Sequence, residues 1–156
     1  MTNQEIFKLL SSPWPLSEVR IRPCTLTKDK TRAVPALYVN AAAMRARLDE
    51  VLGFSSWSAE LREVKGGMLC RLTVVLPCGR VVVREDVCGP SDVDPLKGSA
   101  SGAFKRAAVA LGLPDLSQVA LGWFAVEPAG SSFRFTKSSE EAIRSVYARS
   151  ELKVAA

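Results

Sequence analysis

The chain has no histidine among its 156 residues. That removes the commonest general base, the usual partner of serine and cysteine nucleophiles, and the commonest metal ligand. The four cysteines, Cys24, Cys70, Cys78 and Cys88, include no pair at the two-residue spacing of a structural zinc site. Three of the four fall in strand-like apolar or turn contexts, where a free cysteine usually behaves as a small buried hydrophobe, which fits a reducing compartment. Long hydrophobic runs are also missing. The longest apolar stretches, such as 80–84 and 107–113, fall far short of the roughly 20 residues that a membrane span needs, and the first residues carry no signal-peptide pattern. There is no internal repeat and no low-complexity tract. No catalytic residue, metal or cofactor is expected, and the chain reads as soluble and intracellular.

With 47% hydrophobic residues, the length suits one well-buried domain spanning 1–156. The net charge is +5, and the basic residues are clustered. Between positions 20 and 47 stand Arg20, Arg22, Lys28, Lys30, Arg32, Arg45 and Arg47 against one acid, Asp29. A second acid-free stretch runs from Lys97 through Lys105 and Arg106 to Pro114. Such clusters favour a polyanion, because neutralising phosphates releases condensed counterions. A solvated basic face is the alternative reading.

Apolar spacing predicts a helix over 4–10, ended by Pro13 and Pro15. A strand over 17–22 would bury Val19 and Ile21 and raise Arg20 and Arg22 side by side on the other face. A second strand is expected over 33–39 despite Pro35. Asn40 suits a helix N-cap for 41–52, where Met44, Leu48, Val51 and Leu52 form a core face and Gly53 ends the helix. Arg45 and Asp49 have the spacing of a surface ion pair.

From Trp57 the period changes to two, and Gly66-Gly67 and Pro77-Cys78-Gly79 divide the segment into strands over 57–65, 68–76 and 80–87. These read as an antiparallel meander. A helix of small residues follows over 96–111, then an apolar segment with Trp123 and Phe124, and a final amphipathic helix over 139–153 docking through Ile143, Val146, Tyr147 and Leu152. Strand, strand, helix, three strands, helix describes an α+β domain with a mainly antiparallel sheet.

Three features invite chemical readings. The run Gly98-Ser99-Ala100-Ser101-Gly102-Ala103-Phe104-Lys105 lacks P-loop spacing and reads as a helix that lets a neighbouring backbone or subunit approach closely. Glu85 and Asp86 point to opposite faces of a strand, so they do not converge on a metal; a structural pairing, for example across a subunit contact, suits them better. Trp57 and Trp123 are expected in the core, whereas Phe54 follows Gly53 in a serine-flanked loop where an exposed ring can stack on a base.

Tyr38-Val39-Asn40 with Leu48-Asp49-Glu50-Val51-Leu52-Gly53 and Trp57, then Arg84-Glu85-Asp86-Val87-Cys88-Gly89, then the helix centred on Phe104-Lys105-Arg106-Ala107 together resemble the Rad-fifty-two-like single-strand annealing family. The upstream Arg20-Ile21-Arg22-Pro23 and Thr31-Arg32-Ala33 are most similar to its DdrA branch. The resemblance implies a sheet-and-helix unit that closes into a homo-oligomeric ring, with single-stranded DNA in a basic groove. It implies phosphate contacts from Lys105 and Arg106, a further basic position at Lys97, and Phe54 beside the groove. Ala42 or Ala43 stands where the family often has a basic residue, so that contact is either missing or supplied by Arg45, and Cys88 interrupts the family's Val-Gly step.

The expected function is single-stranded DNA binding and ATP-independent annealing of complementary strands in repair or recombination. The DNA-binding set is Arg20, Arg22, Lys28, Lys30, Arg32, Arg45, Phe54, Lys97, Lys105 and Arg106. Self-association and contact with recombination or single-strand binding proteins are the expected partnerships. The expected location is bacterial cytoplasm, at the nucleoid, or the cytoplasm of a phage-infected host. Protection of 3′ single-stranded ends without annealing, and RNA binding, are the alternatives.

Overall fold

The computed structural model describes residues 1–154, with side chains through residue 150. The chain forms two compact units: Met1–Ser12 with Asn40–Pro114, and Pro13–Val39 with the residues from Asp115 onward. Both are built from antiparallel sheet and helix, so the class is α+β.

The first unit opens with α1 (Asn3–Leu10), whose start is held by a capping box between Thr2 and Glu5. Ile6 and Leu10 are buried, while Leu9 is 45% exposed. Helix α2 (Ala41–Leu52) has the predicted bounds and buries Met44, Leu48 and Val51. Asn40 occupies the N-cap position without a side-chain cap bond, and Gly53 ends the helix at φ 86°. Strands β3 (Trp57–Val64), β4 (Gly67–Val75) and β5 (Val81–Cys88) form the meander in continuous register, from Trp57 opposite Val74 to Val75 opposite Val81. The two-residue alternation puts Cys70, Leu72 and Val74 on one face, each no more than 1% exposed.

Helix α3 (Pro95–Leu111) covers that face through Ala103, Phe104, Ala107 and Ala108. Asp94 caps it by accepting from the Lys97 amide at 3.1 Å. The small-residue run has the close-packing role its composition predicts, with intrachain neighbours. A β-carbon on Gly102 would collide with the Cys88 thiol and lie 3.1 Å from its Cβ, and one on Gly98 would strike the Ser91 hydroxyl. Gly67 likewise lies under the Cys88 carbonyl. The cysteine that interrupts the family's Val-Gly step is therefore held between two glycines.

In the second unit β1 (Val19–Leu26) pairs with β2 (Arg32–Val39), and the sheet continues through β6 (Phe124–Ala129) to β7 (Ser132–Phe135). β1 runs four residues beyond its predicted end, and β6 and β7 were hidden in a segment too short and too interrupted by Pro128 and Gly130 to show an alternation. Pro23 and Pro35 stand directly opposite each other, with a register shift just beyond at Cys24. Neither proline has an amide hydrogen, so this rung offers the ladder no backbone donor from either strand. Helix α4 (Lys137–Val154) docks through Ile143 and Tyr147, whose hydroxyl donates to the Trp14 carbonyl at 2.8 Å. The predicted docking side chain Leu152 lies outside the described residues.

Several burial expectations are corrected. Only Cys70 of the four cysteines is fully buried; Cys24 and Cys78 are exposed and Cys88 is half-buried. Trp57 is half-buried and Trp123 is 48% exposed, whereas Trp14, between two prolines, is the tryptophan in the core.

Gly102→Ala is expected to lower unfolding free energy by about 1–3 kcal/mol through overpacking, more than the ~1 kcal/mol alanine gains in a helix interior. Adding Cys88→Ala removes the sulfur and should restore most of the loss. Urea melts of the single and double variants check this; a Gly102→Ala chain as stable as the parent would mean that α3 is not held against the sheet there.

Candidate nucleic-acid interface

The β1–β2 hairpin separates its two faces sharply. Val19, Ala33, Leu37 and Val39 are buried on one side, while Arg20 and Arg22 are exposed on the other, as the alternation predicts. Register brings Tyr38 opposite Arg20 and Ala36 opposite Arg22. The Arg22 guanidinium stands 6.0 Å from the centre of the Tyr38 ring, a cation–π distance. By alternation along β2, Arg32 shares the face of Ala36 and Tyr38. Arg20, Arg22 and Arg32 form no ion pair among the described residues, although the Arg32 charge acts on the nearby Asp29 carboxyl.

Lys28 and Lys30 lie at the tip of this hairpin, both exposed. The acid between them is exposed but tied within the turn: Asp29 accepts from the hydroxyls of Thr27 at 2.6 Å and Thr31 at 2.8 Å, and from the Thr31 amide at 3.1 Å. These bonds, the Thr27 hydroxyl first, hold its carboxyl down at about 2 against an ordinary 3.8. Lys30 closes the turn at φ 58°, the left-handed region that side chains other than glycine seldom enter. The tip is thus a tied loop that carries two ammonium groups.

In the other unit α3 carries Lys97, Lys105 and Arg106. Lys97 is exposed and Lys105 half-buried. Helical spacing places Lys97, Ser101, Lys105 and Ala108 along one ridge of α3, which turns into the core at Ala108, fully buried. Arg106 pairs with Asp86 of β5 at 3.1 Å, and on the opposite face of that strand Glu85 pairs with Arg71 of β4 at 2.6 Å. The two acids do diverge, and each has a partner within the chain. Among the described residues, no cluster of acids and cysteines could hold a metal ion, and no helix is long and apolar enough to cross a membrane.

Arg45 departs from its expected pairing. Asp49 instead accepts from the Trp57 indole N–H at 2.8 Å, and the Arg45 guanidinium lies 4.4 Å from the centre of the Phe104 ring. Phe54 is 84% exposed, as its place after Gly53 predicts.

No protein-family model matches the chain. It is 35% identical over 133 residues to the single-stranded DNA-binding protein DdrA of Deinococcus deserti, an overlap of 79% of this chain and 63% of the relative. It is 33% identical over 119 residues, 72% of this chain and 54% of the relative, to the protein of the same name from Deinococcus radiodurans. The chain belongs to the DdrA-type family. It spans roughly three-fifths and about half the length of these curated relatives.

Within this DdrA-type chain, each unit gathers part of the predicted set: Arg20, Arg22, Lys28, Lys30 and Arg32 on one hairpin, and Arg45, Phe54, Lys97, Lys105 and Arg106 on α2, α3 and the loop after α2. Sequence reasoning missed Tyr38 as the ring beside Arg22, because only strand register shows which residues stand across from one another. It also missed the rings around Arg45. The one available signal was the Asp49–Trp57 spacing across a helix end, which competes with the Arg45–Asp49 pair.

The Asp29 carboxyl is expected to titrate near 2 when followed by NMR. Its folded value is depressed, so its contribution to ordering the tip is present above its ordinary 3.8 and is lost as pH falls through about 2. Thr27→Val should move the midpoint up toward 3.8; a midpoint that stays put would show that the hydroxyl is not the cause.

Proposed function

We propose that the chain binds single-stranded DNA and anneals complementary strands without nucleotide hydrolysis or a metal, acting as one DNA-binding domain in a homo-oligomeric ring. The observation that carries this reading is the outer face of the β1–β2 hairpin, where Arg20 and Arg22 stand exposed with no ion-pair partner among the described residues and Arg32, near Asp29 but not bridged to it, extends the same charge. Guanidinium groups match phosphate in a planar, bidentate geometry, and contacts of this kind hold a backbone in register without reading its bases. Bases left unread remain available to a second strand. The names of both relatives, single-stranded DNA-binding protein, support the polyanion being single-stranded DNA.

Lys28 and Lys30 extend the same charge to the hairpin tip. Lys97, Lys105 and Arg106 supply contacts from α3. For Arg106 the phosphate must displace Asp86, an exchange made easy by the exposure of the pair, since surface ion pairs are worth only about 0–1 kcal/mol. A ring would add length: each subunit contributes a few phosphate contacts, and linkage raises avidity well beyond that of one subunit.

Annealing of two labelled complementary oligonucleotides, without ATP or metal and across a salt titration, is the direct test. Accelerated annealing with salt-sensitive preference for single strands is expected. Tight single-strand binding without annealing would replace this reading with end protection, and failure to bind would overturn it.

Lys105→Ala with Arg106→Ala should weaken binding and flatten the slope of log affinity against log salt by about 0.7 per lost contact, with assembly unchanged by light scattering. Asp86→Asn should tighten binding by up to roughly fivefold, the worth of a surface pair, in the same anisotropy assay. Weaker binding by Asp86→Asn would mean that the ion pair positions Arg106 rather than competing for it.

A further inference from the structure

Next to the basic residues of α3 lies an open pocket of about 340 Å³, lined by Arg45 of α2, Phe54 of the following loop, Trp57, Ala59 and Leu61 of β3, and Phe104 of α3. Its walls combine three aromatic rings with one cation. Trp57 and Phe104 stand with ring centres 6.3 Å apart and planes tilted by 39°. Phe104 is fixed in the core at 1% exposure, and the Trp57 indole is anchored by its bond to Asp49, so both are held before any ligand arrives. Phe54 differs, being 84% exposed at the rim, and Leu61 is 45% exposed on the floor strand. Arg45 has no carboxylate partner among the described residues; its guanidinium lies over the Phe104 ring, 4.4 Å from the ring centre, at cation–π distance. An exposed ring grouped with exposed Leu61 around an open pocket is the kind of contiguous apolar surface that marks a binding site.

We propose that this pocket receives one unstacked base of the bound single strand. The inference rests on the single-strand reading above and assigns it a base-holding site separate from its phosphate contacts. A flat ring with a polar edge matches the walls: Phe54 and Trp57 offer faces for stacking, as in other single-strand binders. Arg45 offers only donors, which suits the carbonyl and ring-nitrogen acceptors on base edges. The volume lies at the small end of ligand sites and suits one base rather than a stacked run. The positive charge beside it favours the strand that carries the base. A peptide side chain would fit the apolar floor, but it would leave the exposed guanidinium without an acceptor. Holding one base out of the stack interrupts the strand at intervals of one subunit, so the run between neighbouring pockets remains stacked and open to pairing.

The test compares affinity of the full chain for a thymidine oligonucleotide with that for a strand of equal length whose bases are replaced by abasic residues, at two salt concentrations. The intact strand is expected to bind roughly tenfold tighter, the scale of one base stacking on an aromatic ring. Phe54→Ala, at an exposed rim position, and Ala59→Leu, which fills the floor, should each abolish that difference while leaving affinity for the abasic strand unchanged. Equal affinity of the parent chain for both strands would overturn the pocket and leave single-strand binding standing, as would variants that keep the full difference or weaken both strands alike. Failure to bind either strand would instead overturn the single-strand reading.

Discussion

Helix α3 lies close to the three-stranded sheet because, Phe104 apart, its buried positions carry small side chains. Gly98 and Gly102 meet Ser91 and Cys88 directly, and Ala103, Ala107 and Ala108 fill what remains. A helix pressed this close is fixed in rotation as well as distance, since turning it would drive Lys105 or Arg106 into the sheet. With rotation fixed, Phe104 enters the core beside Trp57, Arg106 reaches Asp86, and Lys97 remains in solvent. The pocket and the basic side of this unit both follow from that one packing constraint.

A second theme is the disposal of acids. Asp29 is tied by Thr27 and Thr31, Asp49 by the Trp57 indole, Asp86 by Arg106 and Glu85 by Arg71. These four carboxylates thus have specified partners, and Arg20, Arg22, Arg32 and Arg45 form no ion pair among the described residues. Net charge alone would not achieve this. A +5 chain can present a neutral face wherever its acids are free to fold over its bases, and local hydrogen bonds prevent that here.

Much of the fold was legible in the sequence because its periods are clean. The bounds of α2, the three-stranded meander, and the outward Arg20 and Arg22 all follow from spacing within single elements. Misreadings occurred where the deciding partner was distant in sequence. Arg45 and Asp49 are four apart on one helix, yet Asp49 is taken by a residue beyond the helix end. Trp123, a large apolar residue, stays half-exposed, while Trp14, framed by prolines that suggested only a loop, is sealed under Tyr147. Strands β6 and β7 are too short to establish a period before a turn interrupts them.

By itself the sequence determined the α+β class, the separation of charged from apolar faces along each element, and membership in a family recognisable by ordered short blocks. These properties live within windows of a few residues, where backbone period and side-chain chemistry act alone. Tertiary structure decided which groups are engaged and which remain open. Asp86 takes Arg106, Asp49 takes Trp57, Tyr38 comes to lie beside Arg22, and Phe104 meets Arg45 because folding brings separate elements within hydrogen-bonding or van der Waals reach. Such interactions fall off within a few ångströms, so a partner is chosen by register and packing rather than by distance along the chain.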